Sequence, residues 1–216
     1  MENEQVMRSL TYRGTTGDDL LIGLKDYANR IDGDAGNDFI IADLQDDILI
    51  GGPGNDQLCL GAGANTVIYH LGDGQDTVYE EAQARKIGQV NRDILKLGPG
   101  ITPDNTELVR GLGKDSDNLT LMFADGGHVL LKNYFNADYC LSTIQFANGT
   151  EWKMQKIKQV LANRRTGQEN NVQMGMIDNQ ANQLIQAMAT LTPTFAAHTT
   201  VLPDPQLMTT SVLLVG

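Results

Sequence analysis

The stretch that decides the fold is Gly51-Gly52-Pro53-Gly54-Asn55-Asp56-Gln57-Leu58-Cys59, which fits the pattern G-G-x-G-x-D-x-U-x, where U is a large apolar residue. In both directions from it, a similar unit recurs about every nine residues, with slips of one or two. Asp or Asn stands at the sixth position of seven units: Asp19, Asn29, Asp38, Asp47, Asp56, Asn65 and Asp76. Two residues later there is always an apolar side chain: Leu21, Ile31, Ile40, Leu49, Leu58, Val67 and Val78.

This register predicts stacked coils. Each x-U-x triplet forms a short strand with its central side chain facing inward, and one coil alone buries almost nothing, so several must stack. The predicted fold is mainly β: a parallel β-roll of nonapeptide repeats, followed by a small β region with hairpins and C-terminal helices. Glycine-rich turns at 125–127 and 148–149 are expected to close the hairpins. The expected organisation is a lead-in at 1–13, the roll at 14–79, a β-rich domain at 80–152, and helices and a tail at 153–216.

The charge of the chain is concentrated in the repeats. The whole chain carries a net charge of -11, and residues 14–79 hold twelve Asp and no Glu against Lys25 and Arg30, which gives -10. So acidic a surface argues against binding to nucleic acid or to anionic membranes. A segment this acidic and glycine-rich should also repel itself into disorder in water unless a cation neutralises it.

The repeat chemistry predicts calcium as that cation. Glycine allows tight turns whose carbonyl oxygens point inward, and an Asp closes each turn with a carboxylate. Calcium takes six to eight oxygen ligands of these two kinds. No His or Cys recurs with the repeat, so the ligands of softer metals are missing.

Consecutive turns should lie on opposite edges of the roll, with each ion between turns n and n+2. The turns ending at Asp19, Asp38, Asp56 and Asp76 keep Gly at position four, whereas Tyr27, Gln45 and Asn65 mark the alternate turns as eroded. About three well-formed calcium sites are therefore predicted on one edge, and weak or no binding on the edge of Asp47. The predicted metal-site residues are Gly17, Asp19, Asp34, Gly36, Asp38, Gly52, Gly54, Asp56, Gly72, Gly74 and Asp76, with Asp47 on the weaker edge.

The repeats resemble those of the RTX, or haemolysin-type calcium-binding, proteins. The segments 72–78, 92–97 and 146–152 also resemble the domain that commonly follows the repeats, so the resemblance covers roughly residues 14–152. It implies a secreted, extracellular, toxin-related bacterial protein that a type I transporter exports by an uncleaved C-terminal signal, here expected within 153–216. Because extracellular calcium modules bind at roughly 10⁻⁴ to 10⁻³ M, the chain is expected to be disordered inside the cell and to fold outside.

Other readings of the sequence are open. Residues 14–79 could form a metal-free solenoid or a plain linker. The whole chain could be an extracellular structural or adhesive spacer, or an enzyme with a site within 92–152. No H-E-x-x-H or G-x-S-x-G motif is present, so we predict a protein that is not an enzyme and has no catalytic residues. Residues 1–10 contain no apolar signal peptide, no stretch is apolar enough for a transmembrane segment, and Cys59 and Cys140 are expected to be buried thiols.

Overall fold

The structure, a computed structural model, describes residues 9–80, 92–136 and 141–164. Within these ranges the chain alternates between two seven-stranded sheets, so that successive strands along the repeats fall on opposite sides of the molecule. The short strands follow from the repeat itself, because each coil has only about three extended residues between turns.

The first sheet is parallel except at one end. Its strands, in spatial order, are β1 (Ser9–Arg13), β3 (Ala28–Asp32), β5 (Ile48–Ile50), β7 (Thr66–Tyr69), β9 (Ile94–Leu97), β13 (Thr143–Gln145) and β14 (Glu151–Trp152). All neighbours are parallel except β13 and β14, which form an antiparallel hairpin.

The second sheet has the same plan. Its strands, in spatial order, are β2 (Leu20–Ile22), β4 (Phe39–Ile41), β6 (Gln57–Leu60), β8 (Gln75–Glu80), β12 (His128–Leu131), β11 (Leu119–Met122) and β10 (Glu107–Arg110). The first five are parallel, and β12, β11 and β10 are antiparallel neighbours. Short 3-10 turns occupy Pro103–Asn105 and Gly113–Asp115. We call the parallel strands of both sheets, with their turns, the roll.

The core contains two columns of apolar side chains, one from each sheet. Residues in register across neighbouring strands contribute one inward side chain per strand to each column, and the innermost ones are fully buried. Further residues of the later strands, such as Leu60, Tyr69 and Leu97, add to the same core. In the first sheet the column is Tyr12, Ile31, Leu49, Val67, Leu95, Ile144 and Trp152. In the second it is Leu21, Ile40, Leu58, Val78, Leu131 and Leu119.

The predicted fold class is confirmed, and both sheets continue past residue 79. Strands β9 and β13 extend the first sheet, and β12 extends the second. The turns at 125–127 and 148–149 join antiparallel strands, as expected. A helix, α1, occupies residues 154–164 and buries Ile157 against the core. The second predicted helix, near 177–191, and Cys140 lie outside the described residues, whereas Cys59 is buried.

The described part of the chain contains no helix with the length and apolar character needed to cross a membrane.

Candidate metal centre

The turns of the roll form two edges. Residues 14–19, 33–38, 51–56 and 70–74 lead from the first sheet to the second and, with Asp76 in β8, form what we call the Asp56 edge. Residues 23–27, 42–47 and 61–65 lead back and, with Asn29 in β3 and Asp93 ahead of β9, form the Asp47 edge. Because alternate turns share an edge, residues about eighteen positions apart in sequence become neighbours.

On the Asp56 edge, hydrogen bonds join each aspartate to the next. The backbone N–H of Asp19 donates to Oδ1 of Asp38 (2.8 Å), and that of Asp38 donates to Oδ1 of Asp56 (2.7 Å). The backbone N–H of Asp56 donates to Oδ1 of Asp76 (3.0 Å). One carboxylate oxygen of each acceptor is thus used to fix the spacing of the stacked turns.

The second oxygen of two of these carboxylates has no protein partner. Asp38 and Asp56 are 2% and 1% exposed, and within the described residues Oδ2 of each is buried without a hydrogen bond. A buried carboxylate oxygen left without a partner is strongly destabilising. A bound cation would supply the missing partner at both places.

The first glycine of three of these turns lies directly beside the second carboxylate oxygen of the same turn. A Cβ atom on Gly33 would collide with Oδ2 of Asp38 and with the carbonyl oxygen of Gly51, and one on Gly51 would collide with Oδ2 of Asp56. A Cβ on Gly14 would meet the carbonyl oxygen of Gly33 and, at 2.7 Å, Oδ2 of Asp19. A carboxylate oxygen therefore lies beside each of these three glycines, joined by a carbonyl oxygen beside Gly14 and Gly33. Oxygen ligands of these two kinds suit calcium.

Sequence reasoning missed these first-position glycines, although the G-G-x-G pattern contains them. Among the residues it did name, Gly36, Gly54 and Gly74 lie where the backbones of successive turns approach closely, and a Cβ on each would strike a carbonyl group of the preceding turn. Gly52 and Gly72 have positive φ, and Gly17 lies in open space. The carboxylate of Asp34 does not join the others, since it pairs with Arg13.

Burial disfavours the charged form of these aspartates. It raises the pKa of Asp38, raises that of Asp56 to about 6, and raises that of Asp76 to about 8. The backbone hydrogen bond that each carboxylate accepts acts in the opposite direction, and neighbouring carboxylates add to the increase. A divalent cation would reverse this effect by favouring the ionised carboxylates.

Both ends of the Asp56 edge are closed by protein donors. At one end, the backbone N–H and the hydroxyl of Thr15 donate to Oδ2 of Asp19 (2.6 and 2.9 Å). At the other end, the hydroxyl of Tyr69 (2.8 Å) and the backbone N–H of His128 (2.9 Å) donate to the carbonyl oxygen of Gly74. The unpartnered carboxylate oxygens are thus in the middle of the edge.

The Asp47 edge has the same ladder but no unpartnered oxygen on Asp47. Oδ1 of Asp47 accepts from the backbone and side-chain amides of Asn29 (2.6 and 2.8 Å), and Oδ2 accepts from the backbone of Asp43 (3.2 Å). The ladder continues from Asp47 to Asn65 (2.9 Å) and from Asn65 to Asp93 (2.6 Å). Asp93 was not foreseen as a member, although it precedes Leu95 by two residues as Asp56 precedes Leu58.

No cluster of three or more His, Cys, Asp or Glu side chains with metal-binding geometry occurs in residues 9–80, 92–136 and 141–164.

The comparison with protein families decides the identity of these turns. The model of the RTX calcium-binding nonapeptide repeat (4 copies) matches residues 25–58 and 32–67. The chain contains RTX repeats. The model of the haemolysin-type calcium binding protein related domain matches residues 118–155, which in the RTX chain include β11 to β14 and the start of α1. RTX repeats bind calcium, so the repeat region is a calcium-binding module of a kind typical of exported proteins.

The other two comparisons concern curated proteins and solved structures. No curated protein matches the RTX chain. Among solved structures, it is similar to the extracellular lipase LipA from Serratia marcescens, with 26% sequence identity over 57% of this chain and a TM-score of 0.41. The matched part is 18% of the lipase chain, so the RTX chain corresponds to only a small portion of that protein.

Proposed function

We propose that this chain is a calcium-dependent folding and secretion module of an exported protein, and that calcium binds between successive turns of the Asp56 edge. The observation that supports it best is the pair of buried, unpartnered oxygens, Oδ2 of Asp38 and Oδ2 of Asp56. Three ion positions are proposed, beside Gly14, Gly33 and Gly51. The ions beside Gly33 and Gly51 should bind most tightly, because Thr15 already satisfies Oδ2 of Asp19 at the position beside Gly14.

In this proposal calcium makes folding depend on the compartment. At ten times its dissociation constant one site stabilises the folded state by about 1.4 kcal/mol, so three sites contribute about 4 kcal/mol. A small domain's whole stability is about 5–15 kcal/mol. The chain would therefore fold poorly at cytosolic calcium and fold fully in the millimolar range outside the cell.

Isothermal titration of the full chain with calcium tests this assignment. Asp56→Asn keeps an oxygen for the backbone N–H of Asp38 and replaces only the unpartnered oxygen, so it should lose one ion. Asp56→Ala removes both oxygens and should lose two. The control is Asp46→Asn, an exposed change of equal charge whose Oδ1 still accepts from Ala64. Equal stoichiometry in all four proteins would contradict the proposed sites.

Export by a type I transporter through a signal within 153–216 is a second part of the proposal, and the match to the RTX repeat supports it. It predicts that cells supplied with such a transporter secrete the full chain, and that removal of 153–216 abolishes secretion without abolishing calcium binding. Retention of the full chain in those cells would count against it.

A further inference from the structure

Two asparagines of the Asp47 edge occupy the positions that aspartates occupy on the Asp56 edge. Asn29 and Asn65 are 2% and 0% exposed, as deeply buried as Asp38 and Asp56. We propose that the side-chain amide nitrogens of Asn29 and Asn65 take the place of calcium ions, so that the roll needs ions along one edge only. This inference rests on the proposed function, since it takes calcium to be the partner of the Asp56 edge.

Asn29 shows most clearly how a side-chain amide nitrogen can take the place of an ion. Its Nδ2 donates to the carbonyl oxygens of Leu24 (3.1 Å) and Tyr27 (2.8 Å), both in its own turn, and to Oδ1 of Asp47 (2.8 Å). Its Oδ1 accepts from the backbone N–H of Leu24 (3.2 Å). The nitrogen thus faces carbonyl and carboxylate oxygens, which are the groups that would surround a calcium ion.

Asn65 repeats this arrangement two coil pairs further on, beyond Asp47. Its Nδ2 donates to the carbonyl oxygens of Gly61 (3.4 Å) and Ala62 (3.2 Å), again in its own turn. Its Oδ1 accepts from the backbone N–H of Asp47 (2.9 Å), as the Oδ1 of Asp56 does from Asp38. Asn65 therefore shares one half of its role with the aspartates and differs from them only in the second side-chain atom.

The glycines show that this second atom occupies an equivalent place on both edges. A Cβ on Gly23 would lie 3.1 Å from Nδ2 of Asn29, and a Cβ on Gly33 would meet Oδ2 of Asp38. An amide nitrogen there carries two N–H donors that the turn carbonyls can accept. A carboxylate oxygen in the same place has only acceptors around it, so it requires a cation.

The charges along the two ladders agree with this difference. The Asp56 edge stacks four carboxylates, from Asp19, Asp38, Asp56 and Asp76. The Asp47 edge alternates neutral and acidic side chains, in the order Asn29, Asp47, Asn65 and Asp93. Adjacent carboxylates repel each other in the first ladder and are separated by an amide in the second, so the second needs no counter-ion to stack.

The test compares Asn65→Asp with wild type by isothermal titration with calcium and by calcium titration of the far-ultraviolet circular dichroism of the full chain. Asn65→Asp keeps the oxygen that Asp47 requires and loses only the amide donor. It should bind one ion more than wild type and need a higher calcium concentration to fold. Asn65→Ala loses both roles and should not be rescued by calcium.

The matched control is Asn148→Asp, which adds the same charge at an exposed position outside both edges and keeps the Oδ1 that accepts from the backbone N–H of Thr150 (3.0 Å). It should bind the wild-type number of ions. If Asn65→Asp gains no ion, whether it folds normally or stays unfolded in saturating calcium, the inference is overturned. A wild type that takes up no calcium at all would instead refute the proposed function, so the two failures are distinguishable.

Discussion

At the scale of single residues, one atom decides whether a turn of this roll requires a metal ion. Asp56 and Asn65 are both buried, and each accepts a hydrogen bond from the neighbouring turn through Oδ1. They differ at the second side-chain atom, which is an unpartnered oxygen in Asp56 and a donor nitrogen in Asn65. Each edge's dependence on calcium would then follow from this difference.

The space beside Gly51 should be necessary for ion binding. Gly51→Ala would place a methyl group against Oδ2 of Asp56 and should remove the ion proposed there, which isothermal titration would record as a lost site. Gly17→Ala is the control, because a Cβ on Gly17 would approach only Oγ1 of Thr15, at 3.9 Å. Full calcium binding by Gly51→Ala would show that the ion lies elsewhere.

Calcium affinity should rise with pH. Burial in the metal-free fold raises the pKa of Asp56 to about 6 and that of Asp76 to about 8. Protonation of these two groups therefore stabilises the metal-free fold, fully so below the ordinary pKa of 3.8. This stabilisation is lost as the pH rises through about 6 and then 8. Calcium displaces the same protons. Titrations followed by circular dichroism should show the calcium midpoint falling by up to about tenfold per pH unit for each proton displaced.

The opposite trend, with calcium binding weaker at pH 8 than at pH 6, would mean that these carboxylates are not the ligands.

At the scale of strands, the sequence predicted the strand register because each nine-residue unit carries an inward apolar residue at the same position. The column from Leu21 to Val78 fixes the pairing of β2, β4, β6 and β8 without further information. The continuation through β9, β12 and β13 was not predicted, because long non-repeating segments separate these strands from the repeats. The amide contacts of Asn29 were equally hidden, since a hydrogen bond to Tyr27 depends on the shape of the turn.

The column of the second sheet should account for much of the stability of the roll. Leu58 is fully buried between Ile40 and Val78, so Leu58→Ala should lower the free energy of unfolding in saturating calcium by about 2–5 kcal/mol. Gln57→Ala, on the exposed side of the same strand, should change it by less than about 0.5 kcal/mol. Denaturant unfolding measures both, and equal effects would contradict the inward orientation of Leu58.

At the scale of the whole molecule, the uneven charge of the chain makes the choice of cation testable. Sodium chloride screens the excess of -10 in residues 14–79 but cannot coordinate a buried carboxylate oxygen. Magnesium loses its water reluctantly and requires a stricter geometry. We expect millimolar calcium to induce β structure and compaction, and magnesium or sodium at equal ionic strength to induce much less.

Circular dichroism and small-angle scattering of the full chain in the three salts provide the measurement. A roll that is fully formed in chelator, or equally well formed in magnesium, would argue for a solenoid that does not depend on calcium.

The two ends of the roll are not equivalent. At one end β14 and the pair β11 and β10 run antiparallel to their neighbours, and at the other end β1 and β2 have no outer neighbour within the described residues. We therefore expect further parallel coils to stack on β1 and β2 and not beyond β10 and β14. Engineered coils of nine residues, added in pairs ahead of Ser9, would pair with the parallel strands β1 and β2. The same insertion after β13 would separate β14 from β13, its antiparallel partner at the end of the first sheet.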